Sequence, residues 1–151
     1  GLLSSTHIMI IDSFSGKYRF LSNFFPCKIC FNNINYPSVE HAYVASKTLD
    51  RNIREHIATI DSPGKVKRFG RTLEIRDDWE EVKLSFMDSF LREKFSPEMI
   101  LSEMLEATGY AKLIEGNHWG DTFWGVCNGV GQNHLGKLLM AIRSENRMYF
   151  N

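Results

Sequence analysis

Lys28-Ile29-Cys30-Phe31-Asn32-Asn33-Ile34-Asn35-Tyr36-Pro37-Ser38-Val39-Glu40-His41-Ala42-Tyr43-Val44-Ala45-Ser46-Lys47 is the stretch that decides the fold class. Lys28 to Phe31 and Ile34 to Tyr36 are strand-like runs on either side of Asn32-Asn33. Asparagine tolerates positive φ, so the pair reads as the turn of a β-hairpin. Pro37-Ser38 then stops the sheet and opens a helix, expected over Val39 to Leu49. A hairpin running straight into a helix indicates an α+β chain.

Outward from this stretch the chain becomes mostly helical. Upstream, Ile8 to Ile11 is a short apolar strand candidate. Downstream, Ile53, Ile57 and Ile60 mark one face of a second helix. Ser62-Pro63 is a helix start, with Ser as cap and Pro in the first turn, and that helix ends near Gly70. Asp77-Asp78 is read as the cap of a longer helix from Trp79 to Lys94, with Trp79, Val82, Phe86 and Phe90 as its apolar stripe. Ser96-Pro97 opens another helix, running to Thr108, with Gly109 as its stop. Ala111 to Glu115 reads as extended. Gly131 to Ser144 closes the chain as a helix carrying Leu135, Leu138, Leu139 and Ile142. The expectation is a helix-rich α+β single domain over residues 1–151 with a small antiparallel sheet near its start.

Composition excludes several function classes. Eighteen basic and eighteen acidic side chains cancel. A zero net charge argues against a duplex-wide nucleic-acid binder, whose affinity needs a surplus of cations, although a local phosphate site stays open. No segment approaches the roughly 20 apolar residues that span a bilayer, so no membrane partner is expected. Gly1 to Ile11 has no basic region followed by a long apolar stretch, so a cytoplasmic location is expected. Three cysteines, an odd number, suit a reducing compartment. Cys27-Lys28-Ile29-Cys30 forms a CxxC, but it sits on a strand after Pro26, where a redox pair would open a helix. A zinc site would need a second close pair of Cys or His, which is missing. Structural thiols are the expected reading, and a redox or metal module on Cys27 and Cys30 is the distant competitor. No metal and no cofactor are expected.

Three constellations can carry chemistry. Glu40 and Lys47, seven residues apart, share a helix face about 10 Å apart along the axis. Tyr43 and Val44 lie between them. Glu40 also sits in the first turn, where the helix dipole favours a carboxylate. A capped amphipathic helix with solvated charges fits the same spacing. The second constellation is the glycine-rich stretch Gly116 to Gly136. Within it, Asp121-Thr122-Phe123-Trp124-Gly125 places a tryptophan where packing or stacking must hold it. Gly129-Val130-Gly131-Gln132-Asn133-His134-Leu135-Gly136 has the wrong spacing for a dinucleotide fingerprint and no βαβ unit before it. An anion cradle at the helix start and a tight turn into that helix both fit. The third is Gly70-Arg71 with Asp78-Trp79. Arg71 can fork a phosphate, and Trp79 fits the core better than a ligand platform. No Ser/His/Asp triad or HExxH is present, and His41, His118 and His134 are too scattered to be read as metal ligands.

Together these segments resemble the YbiA-like, or NADAR, family. The resemblance begins with Phe20-Leu21-Ser22-Asn23-Phe24-Phe25-Pro26 and Tyr36-Pro37-Ser38-Val39-Glu40-His41-Ala42-Tyr43, then Lys47. It continues in order through Ser62-Pro63, Gly70-Arg71, Asp78-Trp79, Lys94-Phe95, Leu113-Ile114-Glu115, Asp121, Phe123-Trp124-Gly125, Gly131-Gln132-Asn133 and Leu135-Gly136 to Arg143. It covers about residues 14–145. One departure stands out. The family often has an aromatic–Gln pair where this chain has Tyr43-Val44, which bears on fine substrate recognition.

The resemblance implies an N-glycosidase. Some members hydrolyse ribosylaminopyrimidine phosphates of the early riboflavin pathway, and others remove ADP-ribose from guanine bases of nucleic acid. It implies Glu40, Asp121 and Lys47 as catalytic residues. It implies Asn23, Arg71, Trp79, Trp124, Gly125 and Asn133 as substrate-binding ones. The chemistry suits these side chains. Breaking an N-glycosidic bond builds positive charge on the sugar, which a fixed carboxylate stabilises while it steers water. Lys47 either holds phosphate or hydroxyls as a cation or attacks the anomeric carbon, which needs a lowered pKa. The alternative is a non-catalytic module that binds NAD or ADP-ribose with the same residues. The sequence gives no oligomeric state.

Overall fold

The computed structural model describes residues 8–150. The N-terminal reading therefore lies mostly outside the described residues. Residues 23–94 form one compact unit, and residues 8–22 with 95–150 form another.

The first of these holds the hairpin and four helices. β2 (Pro26–Phe31) pairs antiparallel with β3 (Ile34–Ser38). Asn32 and Asn33 take φ of 48° and 63°, the left-handed pair that a two-residue hairpin turn demands. α1 (Val39–Ser46) follows without a gap and is shorter than expected. It ends at Ser46 because Lys47 N–H turns back to Val44 O, tightening the last turn. α2 (Arg51–Thr59) is capped by the Asp50 carboxylate, which accepts from Asn52 and Ile53 N–H. α3 (Pro63–Gly70) is capped by Ser62 Oγ as expected. α4 (Trp79–Lys94) has its expected bounds, and Asp78 O accepts from Glu81 and Val82 N–H at its start, while Arg76 binds the Asp78 carboxylate in a two-pronged pair at 2.6 and 3.1 Å. Ile29, Tyr36, Ala42, Ala45, Ile57, Val66, Met87 and Leu91 fill this unit's core.

The other unit holds a 3-10 helix (Gly16–Leu21), α5 (Ile100–Glu106) and α6 (His134–Tyr149) with two minimal parallel pairs. β1 (Ile10–Ile11) pairs with β4 (Lys112–Leu113), and β5 (Gly116–Asn117) with β6 (Val126–Cys127). The antiparallel hairpin is thus joined by parallel pairs that two-residue strands cannot announce. α5 starts later than Ser96-Pro97 suggests, because Met99 N–H bonds Ser96 O in a separate turn. Phe20, Leu21, Phe95, Leu105, Leu113, Leu135, Leu139 and Ile142 are buried here. Among the described residues no helix is long and apolar enough to cross a membrane.

Candidate active site

α1 carries Glu40 near its start and Lys47 just past its end, and both ends are fixed. At the start, Ser38 Oγ accepts from His41 N–H at 3.1 Å and lies 2.7 Å from His41 Nδ1. His41 Nε2 is 2.8 Å from Ile60 O. A carbonyl needs a donor, so Nε2 carries the proton and Nδ1 accepts from Ser38. Burial lowers the His41 pKa, and the bond to Ile60 opposes that shift. Glu40 N–H, one of the first-turn donors with no partner inside the helix, is taken by Asn23 O at 3.0 Å. Asn23 itself points its amide nitrogen at Met87 Sδ, 3.7 Å away.

At the far end two arginines take the carbonyls that the helix leaves open. Arg54, 7% exposed, donates from Nε to Ala45 O and Thr48 O at 3.2 and 3.0 Å. Arg76 N–H donates to Lys47 O at 2.9 Å. Cations at a helix C-terminus also offset the dipole there. The Lys47 backbone is thereby held at a fixed place and angle.

The Lys47 side chain turns over aromatic rings. Its Nζ is 5.3 Å from the Tyr43 ring centre and 6.0 Å from that of Trp79. The two rings meet at 5.2 Å. Burial against them lowers the Lys47 pKa below the ordinary lysine value. The Glu40 carboxylate works to raise it, and the charges of Lys67, Lys83 and Arg71 push it further down. A partly desolvated amine beside a carboxylate is what a reactive or anion-holding lysine requires. Trp79 is 8% exposed, between Tyr43 and a near-parallel Phe86 at 6.4 Å. It forms a wall of the Lys47 environment and belongs to the core, as its place in the apolar stripe suggested. Val44, at the family's usual Gln position, is buried. A Cβ added to Gly70 would sit 3.1 Å from Val44 Cγ1. That position therefore serves the α1–α3 packing. Arg71 is exposed at the end of α3.

Asp121, Trp124, Gly125 and Asn133 lie in the other unit, in a loop that is closely tied to itself. Asp121 Oδ1 accepts from Phe123 N–H at 3.1 Å and Trp124 N–H at 2.9 Å. Asn117, buried, clamps Asp121 on both sides of its backbone, accepting its N–H and donating to its C=O. Trp124 is half-buried, edge-on to Phe123 at 4.8 Å. A Cβ on Gly125 would fall on the Glu115 carbonyl and carboxylate oxygens, so only glycine fits. Asn133 is left-handed, with φ 53°. Both ends of its amide are engaged. Nδ2 donates to Leu113 O, and Oδ1 accepts from Glu115 N–H, each at 2.9 Å. Gln132, Asn133, His134 and Leu135 N–H donate to the carbonyls of Thr122, Gly125, Phe123 and Trp124. Four of the donors that an anion cradle would use are thus spent on the loop, the arrangement of a tight turn into α6.

Of the cations around Lys47, sequence reasoning singled out Arg71 and missed Lys67 and Lys83. Lys67 and Arg71 are four apart on α3, and Lys83 is four after Trp79 on α4, so helical spacing carried the signal. It also missed Arg54 and Arg76, which no motif marks. Cys27 is half-buried and Cys30 exposed, both as free thiols. Among the described residues no group of three or more His, Cys, Asp or Glu is placed to hold a metal ion.

Comparison with known proteins supplies a family. The chain matches the NADAR domain over residues 12–147. The N-glycosidase YbiA of Shigella boydii is 39% identical over 136 residues, covering 88% of this chain and 84% of its own. A riboflavin biosynthesis protein of Vibrio vulnificus is 36% identical over 132 residues. That match covers 85% of this chain but 36% of the relative, so this chain corresponds to only part of that protein. The solution structure of Escherichia coli YbiA superposes with a TM-score of 0.83 at 36% identity, covering 97% of this chain and 89% of that one. With the α+β fold shared and the motifs in register, the chain belongs to the NADAR domain family.

Proposed function

We propose that this chain is an N-glycosidase that hydrolyses the bond between a ribose carbon and a base nitrogen on a phosphorylated ribosyl or ADP-ribosyl substrate. The observation that carries this reading is the fixed pair on α1: Glu40 at its start and the desolvated Lys47 ammonium over Tyr43 and Trp79 at its end. The names of the relatives support the reaction class, N-glycosidase, and the riboflavin name supports a ribosylaminopyrimidine phosphate as substrate. ADP-ribosylated guanine is the second substrate proposed, on the family resemblance. A cytoplasmic site of action fits both.

In the reaction the C1′–N bond breaks, the electron pair leaves with the base, and water supplies hydroxide to C1′. Glu40 stabilises the positive charge on the sugar and directs the water. Asp121 gives the leaving nitrogen its proton, and Trp124 stacks on the base. Lys47 holds the substrate's anionic or hydroxyl groups, or attacks C1′ as the neutral amine and displaces the base, after which the ring C–O bond opens to a Schiff base that water hydrolyses to the free sugar and lysine. Asn23, Arg71, Trp79, Gly125 and Asn133 shape substrate binding.

The test is release of free base from a ribosylaminopyrimidine phosphate and, separately, from ADP-ribosylated guanosine. Glu40→Gln and Asp121→Asn should each lower the rate by about 10²–10⁴. Asparagine keeps the oxygen that accepts from Phe123 and Trp124, so Asp121→Asn removes the charge without opening the turn. Full activity in both variants would defeat the residue roles. A ligand that binds and stays intact would point to a binding module.

A further inference from the structure

We propose that Lys67, Arg71 and Lys83 form a phosphoryl-binding clamp beside the Lys47 ammonium, built from the ends of two helices that converge on α1. The proposal rests on the functional reading above, which already uses Arg71, and extends it to Lys67 and Lys83.

Three placements bring the cations together. α3 lies close against α1, with Gly70 on Val44. Lys67 and Arg71 stand one turn apart in its last stretch. α4 also packs on α1, and its Trp79 ring is 6.0 Å from Lys47 Nζ. Lys83 is one turn further along α4, its side chain 15% exposed and its Nζ 3.0 Å from Glu80. Each of the three is close enough for its charge to oppose protonation of Lys47. The Lys47 ammonium, over the Tyr43 and Trp79 rings, thus has three further cations and the Glu40 carboxylate near it.

Like charges held on an apolar floor repel, and a bound anion relieves that repulsion. The dipole of α3 accounts for a cation at its own end. It does not account for Lys83, which reaches the cluster from another helix. One guanidinium fork with two or three point-charge ammoniums suits the tetrahedral oxygens of a phosphoryl group better than a planar carboxylate. The ligand chemistry is therefore a phosphomonoester or a diphosphate.

The experiment is an amide NMR titration of the full chain with ribose 5-phosphate, ADP-ribose, inorganic pyrophosphate and, as the uncharged control, adenosine. It is repeated on Lys67→Gln, Lys83→Gln and the double variant, whose spectra report whether the fold is kept. The phosphorylated probes should shift resonances of α3 and α4, and each variant should bind them about tenfold more weakly. Adenosine binding should not change between parent and variants. Stronger binding of ADP-ribose and pyrophosphate than of ribose 5-phosphate assigns the clamp to a diphosphate, and the reverse order assigns it to a monoester. Equal phosphate affinity in parent and double variant, or shifts confined to other elements, overturns the clamp. Because binding is read without turnover, an inactive protein that still shows this pattern would defeat the N-glycosidase reading and leave the clamp standing.

Discussion

Lys94 lies in the last turn of α4, 2% exposed, and burial pulls its pKa from 10.5 to about 8. Cys27 is the charge partner that works against this shift, and the Phe25 ring centre is 5.7 Å from Nζ. The unfolded chain holds this proton up to the ordinary lysine value, while the folded chain gives it up near pH 8. Between those values the unfolded state binds more protons, so stability rises with pH across the window. A shift from 10.5 to about 8 is worth about 3 kcal/mol at 1.36 kcal/mol per pH unit, a large part of a typical total of 5–15 kcal/mol. Lys94→Met removes the titrating head and keeps an unbranched apolar stem. Urea unfolding is followed from pH 7 to 10.5 for parent and variant. Relative to Lys94→Met, the parent should gain about 1–2 M in midpoint over that range, taking an m-value near 2 kcal/mol/M. Tyr36, held up near pKa 12, titrates in both proteins and cancels in the difference. Cys27 does not cancel, because Lys94 lowers its raised thiol pKa. Without that charge the thiol rises further and the variant loses more stability at high pH, which widens the difference in the same direction. Parallel midpoint curves for the two proteins would refute the reasoning.

The loop and helix starts give three more predictions. Gly125→Ala forces a Cβ onto Glu115 and within 2.8 Å of Asn117 Nδ2, and thermal unfolding should show a loss of about 1–3 kcal/mol or more. Asn133→Ala strips two bonds from the backbone at Leu113 and Glu115 and strains a left-handed position. It should cost about 2–5 kcal/mol, and Asn133→Gly, which relieves only the backbone strain, should recover a minor part of that in urea titrations. The His41 pKa lies below 6.5, so the folded state resists protonation and the parent should lose stability as pH falls through about 6.5. His41→Gln should flatten that acid limb; an unchanged slope in pH-dependent denaturation would show that His41 is not its source.

The legible parts of this chain are those where one residue type satisfies one backbone need. Asn32-Asn33 supplies two left-handed residues, and Ser38 and Ser62 supply a side-chain oxygen at a helix start, so the hairpin and the starts of α1 and α3 stand where the sequence places them. Two-residue strands have no period to read. The β1–β4 and β5–β6 pairs come from loop geometry, which glycine at 116 permits because a Cβ there would strike Asp12 O. Lys67 and Lys83 look like solvated helix charges until α3 and α4 are both set against α1.

Asp121 poses the hardest case, since its motif spacing serves two needs at once. An acid three residues before Trp124 closes the turn through Oδ1, and that alone explains an oxygen acceptor at this position. The turn does not need the negative charge, because an amide oxygen accepts the same two N–H groups. The proton-donating role needs the second, ionisable oxygen. Stability and turnover therefore respond differently to one substitution. Asp121→Asn should leave the unfolding midpoint within about 0.5 kcal/mol of the parent, the usual range for changes that break no structural feature, while base release falls. Asp121→Ala should lower both. If Asp121→Asn keeps full turnover, the residue belongs to the turn alone, and the acid for the leaving base must be sought elsewhere.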